Sequence, residues 1–276
     1  MSKKLYTEAY IQNIADAIRE KNGLTRKYMV GEMAQAIQNI PAGSDLLALA
    51  SGSEAFDLND ETLHTEATAI PQYMFYDNDN VRDISLSSIL SVGQYSFYRC
   101  DNLRNVILPE CTLISANAFL ECRRNATGNT LYLPKVVTIG NSAFKEFGLN
   151  NSNLDLNLAE CVTLEDGAFR SAYANYGFTV KTLSLPKIEN IGQLAFQNLT
   201  ATTLTIGANV EGIGQNAFLT TTITNLYCYA TTPPPVTNNN LGSGNITNIY
   251  VPSGCGNAYK AAGGWSAYEN QIHEIT

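Results

Sequence analysis

Apolar and polar positions along the chain fall into a unit that recurs. Seven segments carry an apolar residue, four variable or small residues and then Phe. They are Ile70–Phe75 (IPQYMF), Val92–Phe97 (VGQYSF), Ile114–Phe119 (ISANAF), Ile139–Phe144 (IGNSAF), Leu164–Phe169 (LEDGAF), Ile191–Phe196 (IGQLAF) and Ile213–Phe218 (IGQNAF). Upstream of each later Phe stands an alternating pair: Ile84/Leu86, Val106/Leu108, Leu131/Leu133, Leu156/Leu158, Leu183/Leu185 and Leu204/Ile206. Alternation at period two predicts a half-buried strand. Pro109, Pro134 and Pro186 follow directly, as suits a strand end.

Spacing separates a rigid half of the unit from a tolerant half. The step from the last strand residue to Phe is 11 positions in five units and 12 in the sixth, Ile206 to Phe218. The step from Phe to the next strand end varies, being 11 from Phe75 to Leu86, 14 from Phe119 to Leu133 and 16 from Phe169 to Leu185. Stacked coils behave this way, because an insertion is tolerated only where it leaves the stack.

The six Cys follow the same phase. Cys111 and Cys161 share a position with Ile89, Val136, Ile188 and Val210, and Cys100 and Cys122 each stand three residues after a Phe. An even Cys count would suit disulfides in a small secreted domain. Interchange with β-branched residues instead predicts reduced thiols packed as small core hydrophobes, a reading extended to Cys228 and Cys255.

Residues Val92–Pro109 (VGQYSFYRCDNLRNVILP) resemble the BspA-type leucine-rich repeat, with its pattern I-G-x-x-A-F-x-x-C-x-x-L-x-x-I-x-L-P. The resemblance recurs in phase over about residues 63 to 252. Departures are Pro71, Ser115 and Glu165 in place of the Gly, which put the local turn in question, and the loss of the Cys from later repeats. The resemblance implies a β-rich leucine-rich-repeat solenoid of about seven to eight repeats, used for adhesion on bacterial surfaces and in phage or prophage proteins, and no catalysis. The segments Leu226–Pro235, Ile249–Gly254 and Ala258–Trp265 are similar to the family's array endings. They predict a last strand pair, a small helix around Gly256–Ala262, and Trp265 over the final apolar layer.

Ahead of the repeats, residues 7 to 40 predict a hairpin of two helices. Ile11, Ile14, Ala15 and Ile18 form one stripe, with Thr7 as N-cap and Gly23 as stop; Met29, Met33, Ile37 and Ile40 form the other, ended by Pro41. Two such helices bury too little alone, so the stripes need the solenoid, a second copy or another protein. The segment resembles N-terminal pieces of phage structural proteins, which implies attachment of a distal module to a particle; the plainer alternative is a cap docked on the first repeat. The organisation expected is therefore a helical attachment or oligomerisation module (1–41), a junction and N-terminal cap repeat (42–69), BspA-type repeats (70–230) and a C-terminal capping region (231–276).

Composition narrows the function classes. Lys plus Arg is 17 against 25 for Asp plus Glu, a net charge of -8 with no basic run, so neither nucleic acid nor an anionic membrane has an electrostatic footprint to bind. No stretch of about 20 apolar residues is present to span a bilayer, and the first residues lack the apolar core of a secretory signal. With two His, far apart in sequence, and no hydrolase, nucleotide or metalloprotease signature, the expectation is a non-enzyme with no cofactor and no metal. Asp77, Asp79 and Asp83 are spaced loosely like a cation loop but lack its Gly and closing Glu.

Two faces compete for a ligand. The outward strand positions Ser85, Ile107, Tyr132, Asn157, Ser184, Thr205, Tyr227 and Tyr250 predict one ladder, flanked by Asp83, Asn105, Thr130, Asp155, Thr182, Thr203, Asn225 and Asn248. Tyr among small polar residues suits a sugar or a protein surface; the alternative is that such ladders only solvate and stabilise a sheet. The insertions at residues 123–129, 147–153 and 172–179 form the second face, the last with Tyr173, Tyr176 and Phe178. The ligand-binding candidates are thus Ile107, Tyr132, Asn157, Tyr227, Tyr250, Tyr173 and Tyr176. The attachment candidates are Ile11, Ile14, Ile18, Met29, Met33 and Ile37. The function expected is adhesion by a tail-fibre-like virion component contacting a host-surface protein or glycan. Its partners through the N-terminal helices would be other virion proteins or a second copy. The alternatives are a bacterial cell-surface adhesin and, more remotely, an intracellular enzyme.

Overall fold

The computed structural model describes residues 56–59, 68–122, 129–172 and 178–276. The helices expected within residues 7–40, with all six attachment candidates, lie outside them, as do Tyr173 and Tyr176.

Strands of two kinds alternate along the chain: β1 (Phe56–Asn59), β2 (Ala69–Ile70), β3 (Val81–Ser85), β4 (Ser91–Val92), β5 (Asn105–Ile107), β6 (Leu113–Ile114), β7 (Leu131–Tyr132), β8 (Thr138–Ile139), β9 (Asn150–Asn157), β10 (Thr163–Leu164), β11 (Thr179–Leu185), β12 (Asn190–Ile191), β13 (Thr200–Ile206), β14 (Gly212–Ile213), β15 (Thr222–Cys228), β16 (Asn245–Val251) and β17 (Ile272–Glu274). The even-numbered strands from β2 to β14 form one seven-stranded sheet of two-residue rungs. The others form a four-stranded sheet, β1-β3-β5-β7, and a six-stranded sheet, β9-β11-β13-β15-β16-β17. The ladders are parallel throughout, which makes a right-through solenoid of stacked coils. β1 lies in the segment assigned above to the junction and pairs with β3, so the stack already runs there.

The alternating pairs read from the sequence all point inward, from Ile84 and Leu86 to Leu204 and Ile206, each at most 2% exposed. The seven motif Phe residues form one column, all buried. Neighbouring rings from Phe75 to Phe218 stack at centroid distances of 5.2, 5.0, 5.0, 5.4, 6.4 and 5.6 Å. Each buried ring is worth roughly 2–3 kcal/mol of apolar transfer, with about 0.5–1.5 kcal/mol more per stacked pair. The residue before each Phe is buried as well: Ala in five coils, Met74 and Ser96 in the first two.

The corner around each Phe carries a hydrogen-bond pattern of its own. The residue two before the Phe is left-handed in each coil: Tyr73, Tyr95, Asn117, Ser142, Gly167, Leu194 and Asn216, with φ between 53° and 63°. A second left-handed residue stands two after it at Asp77, Arg99, Glu121, Glu146, Asn198 and Thr220. This alternation aims every other N–H at the next coil. Tyr73, Phe75 and Asp77 donate to Gln94, Ser96 and Tyr98 carbonyls at 3.0, 2.7 and 2.6 Å, while Met74, Tyr76 and Asn78 close turns within their own coil. The corner is a third hydrogen-bonded ladder, and it explains the fixed half of the repeat.

The motif Gly is a close-approach residue: a Cβ on Gly93 would stand 2.5 Å from the Gln72 nitrogen, and Gly140, Gly192 and Gly214 are as tight. Ser115 and Glu165 nevertheless keep the same turn. Their N–H groups donate to Val92 and Ile139 carbonyls at 2.9 Å, as Gly93 does to Ile70 at 2.8 Å.

Three insertion residues, Phe147, Leu149 and Phe178, enter the core instead of the surface. Phe147 takes the place held by Cys100 and Cys122 in earlier coils and packs edge-on against Phe119 and Phe144. Phe178, read above with Tyr173 and Tyr176 as part of a ligand face, is 1% exposed and lies 4.6 Å from Phe169. The apolar gain of burying a ring outweighs the surface preference of the loop that carries it.

Beyond β16 comes helix α1 (Gly256–Ala261). The buried Trp265 donates its indole N–H to the Pro234 carbonyl at 3.0 Å and meets Tyr259 edge-on. Tyr259 donates to the Ala230 carbonyl at 2.8 Å. A further strand, β17, then pairs with β16.

Candidate ligand-binding faces

The outward strand row is present but runs in two segments. Ser85, Ile107 and Tyr132 are rungs of the first sheet. Asn157, Ser184, Thr205, Tyr227, Tyr250 and His273 are rungs of the second. The single ladder expected above is broken between Tyr132 and Asn157. β7 is only two residues long and closes the four-stranded sheet, while β9 opens the six-stranded one. Ile107 is half-buried, Tyr132 is 50% exposed and Asn157 is exposed.

The flanking row is occupied by its own hydrogen bonds. Asn105 donates to Asp83 at 2.8 Å, and its amide oxygen accepts from the Thr130 N–H at 2.9 Å. Thr182 donates to Asp155 at 2.7 Å, which holds that carboxyl below its ordinary range, and Asn248 donates to Asn225 at 3.0 Å. These side chains tie coil to coil. Of the loose acidic trio, Asp79 accepts the Asp101 N–H at 3.0 Å and Asp83 is paired with Arg104. Among the described residues no cluster of three metal-type ligands exists.

Aromatic residues collect at the C-terminal end of the strand row. Tyr227 and Tyr250 stack at 4.7 Å and 18°, Tyr229 lies 6.3 Å from Tyr227, and His273 lies 5.8 Å from Tyr250. Tyr229 is 44% exposed. The sequence reading had Tyr227 and Tyr250 but not Tyr229 or His273. The signal for His273 was the in-phase Ile272, one apolar residue in a three-residue strand.

A second aromatic group, also unread, sits on the corner face of the first two Phe coils. Tyr73 stacks on Tyr95 at 5.3 Å and 7°, Tyr76 lies 4.7 Å from Tyr98, and the Arg99 guanidinium lies over the Tyr98 ring. Glu121 anchors Arg99 at 2.9 Å. Burial pushes the Tyr76 hydroxyl up to about 12. The signal was the pair QYMFY and QYSFY, identical in phase in successive repeats.

All six Cys are free thiols, five of them buried. Cys100 and Cys122 donate to the Phe75 and Phe97 carbonyls of the preceding coil at 3.0 and 2.9 Å. Burial pushes the Cys111 thiol up to about 11 and the Cys161 thiol up to about 12.

The model of the BspA type leucine rich repeat region matches residues 53–173 and 137–262, in six copies. The chain belongs to the BspA-type leucine-rich repeat family. No curated protein matches it. Repeats of the BspA type point to surface adhesion or binding, and in this BspA-type chain the two aromatic groups, half-buried or exposed, are the features suited to it. No helix among the described residues is long and apolar enough to cross a membrane.

Proposed function

We propose that this BspA-type protein is a non-enzymatic adhesin whose strand face contacts a cell-surface glycan or protein. The observation that carries the reading is the ridge Tyr229–Tyr227–Tyr250–His273. Rings with polar tips give large contact area at small entropic cost, and their faces suit sugar C–H groups as well as protein side chains. On this reading the protein is a tail-fibre-like component of a phage or prophage particle. Residues 1–41 attach it, through Ile11, Ile14, Ile18, Met29, Met33 and Ile37, to other virion proteins or to a second copy. Support for that part is the resemblance of residues 7–40 to phage structural segments. A bacterial cell-surface adhesin is the second reading, favoured by the repeat family itself.

The test is whole-cell binding by the full chain against the Tyr227→Ala/Tyr250→Ala variant. A loss of about tenfold or more, with an unchanged melting temperature, supports the ridge. Undiminished binding rejects it and redirects attention to Tyr132, Tyr173 and Tyr176. Neighbouring genes for tail proteins, as against surface-anchoring genes, separate the particle from the cell surface.

A further inference from the structure

The two-residue strands place their first residues in one outward row: Ala69, Ser91, Leu113, Thr138, Thr163, Asn190 and Gly212. Every member but the last carries a side chain. A Cβ built on Gly212 would meet nothing within 4 Å, and its backbone needs no glycine conformation. Glycine there serves neither a turn nor a close approach, and inside a strand it is a weak choice. What it leaves is space: a groove of about 730 Å³ crosses β10, β12 and β14 and ends at Pro235. That lies within the range of about 300–1,000 Å³ seen for ligand sites.

The lining decides the ligand class. No Lys, Arg or His borders the groove, so nothing there balances a phosphate, sulfate or carboxylate. Each of its two carboxylates accepts one backbone N–H, Glu165 that of Asn141 at 2.8 Å and Asp166 that of Gln193 at 2.7 Å, and their charge disfavours an anion. The exposed side chains of Asn190 and Gln193 offer both donors and acceptors, the pairing that neighbouring hydroxyls require. The exposed Pro235 ring adds an apolar wall.

We propose that this groove binds a neutral carbohydrate chain and that Gly212 keeps it open. The site rests on the adhesion reading but not on the tyrosine ridge, which lies on a different sheet. The experiment probes the full chain on an array of neutral and anionic glycans and an unrelated peptide library, then measures hits by calorimetry. The proteins compared are the wild type, Gly212→Thr, Gln193→Ala and Tyr227→Ala/Tyr250→Ala. The wild type binds a neutral oligosaccharide. Gly212→Thr weakens it at least tenfold while the melting temperature holds or rises, and Gln193→Ala weakens it without filling the groove. The tyrosine pair leaves this affinity unchanged. Neutral-glycan binding that survives Gly212→Thr overturns the proposal, as does binding only of anionic glycans or peptides, or no glycan binding at millimolar concentration. Cell binding that falls with the tyrosine pair alone leaves the adhesion reading standing and the groove proposal rejected. Absence of cell binding by the wild type rejects the adhesion reading itself.

Discussion

Phe169 and Phe196 lie parallel to within 5° but 6.4 Å apart, the widest step in the Phe column, and Phe178 leans on Phe169 from the side at 4.6 Å. A loop residue thus packs into the column beside its loosest step. Its neighbour in function, Phe147, does the same against Phe119 and Phe144.

Phe178→Ala therefore acts as a core mutation although Phe178 adjoins a loop. The cost expected is about 3–5 kcal/mol, the range for emptying a buried Phe site, and equal to that of Phe144→Ala in the column itself. Urea unfolding followed by circular dichroism measures both. A cost below about 1 kcal/mol, the range of surface substitutions, would show Phe178 to be dispensable.

The difference between what the sequence disclosed and what it concealed follows the same division. The strands and the Phe column were legible because one half of each repeat has fixed spacing, enforced by the three hydrogen-bonded ladders. Phe178 was not, because it falls in the half whose length varies and no phase assigns it inward; Phe147 stands in the phase of Cys100 and Cys122, three residues after its Phe, but was grouped with the insertion that begins there. Cys111 and Cys161 were legible through interchange with Ile and Val at one phase, whereas Cys255, outside any phase, is only partly buried. The ridge was half legible: Tyr227 and Tyr250 sit in strands with strong alternation, whereas β17 is too short to carry a pattern. The groove could not be read, since its lining is gathered from three successive coils and includes a glycine that no apolar pattern marks. The break between Tyr132 and Asn157 was equally hidden, because the same apolar spacing runs through β7 and β9 although they belong to different sheets.

Leu194 is left-handed at φ 57°, where Asn117 and Asn216 hold the same place in other coils. A left-handed L-residue costs roughly 1–2 kcal/mol, less for Asn, whose short polar side chain bonds locally. Leu194 is only partly buried, so little packing is lost on replacing it. Leu194→Asn is expected to stabilise the protein by about 0.5–1 kcal/mol, and Leu194→Val, β-branched, to destabilise it. Denaturant midpoints decide; a lower midpoint for the Asn variant would refute the strain argument.

Thiol reactivity tests the reading of the cysteines. Cys100, Cys111, Cys122, Cys161 and Cys228 are buried and Cys255 only partly so. Burial raises the thiol pKa of all five buried residues and suppresses the reactive thiolate. Near pH 8 a disulfide reagent should modify one residue, Cys255, in the native protein, and all six after unfolding without reductant. Fewer than six after unfolding would reveal a disulfide.

Acid stability should report on Glu274. Its carboxylate accepts the Gly254 and Gly256 N–H groups, each at 2.8 Å, and these bonds hold its pKa below the ordinary value. A carboxyl depressed on folding contributes stability that is fully present above its unfolded pKa, about 4.3, and lost as pH falls through the folded value. The contribution is small, since the group is exposed and screened. Wild type should melt above Glu274→Gln at pH 6 to 7, with the gap closing as the pH drops below the unfolded pKa. The expectation is direct because glutamine keeps one acceptor oxygen but not the charge, so the pH-dependent part of the difference isolates the ionised form. Parallel melting curves from pH 7 down to 3 would mean that the two amides gain nothing from the charge, and that the turn into α1 is set by Gly254 and Gly256 alone.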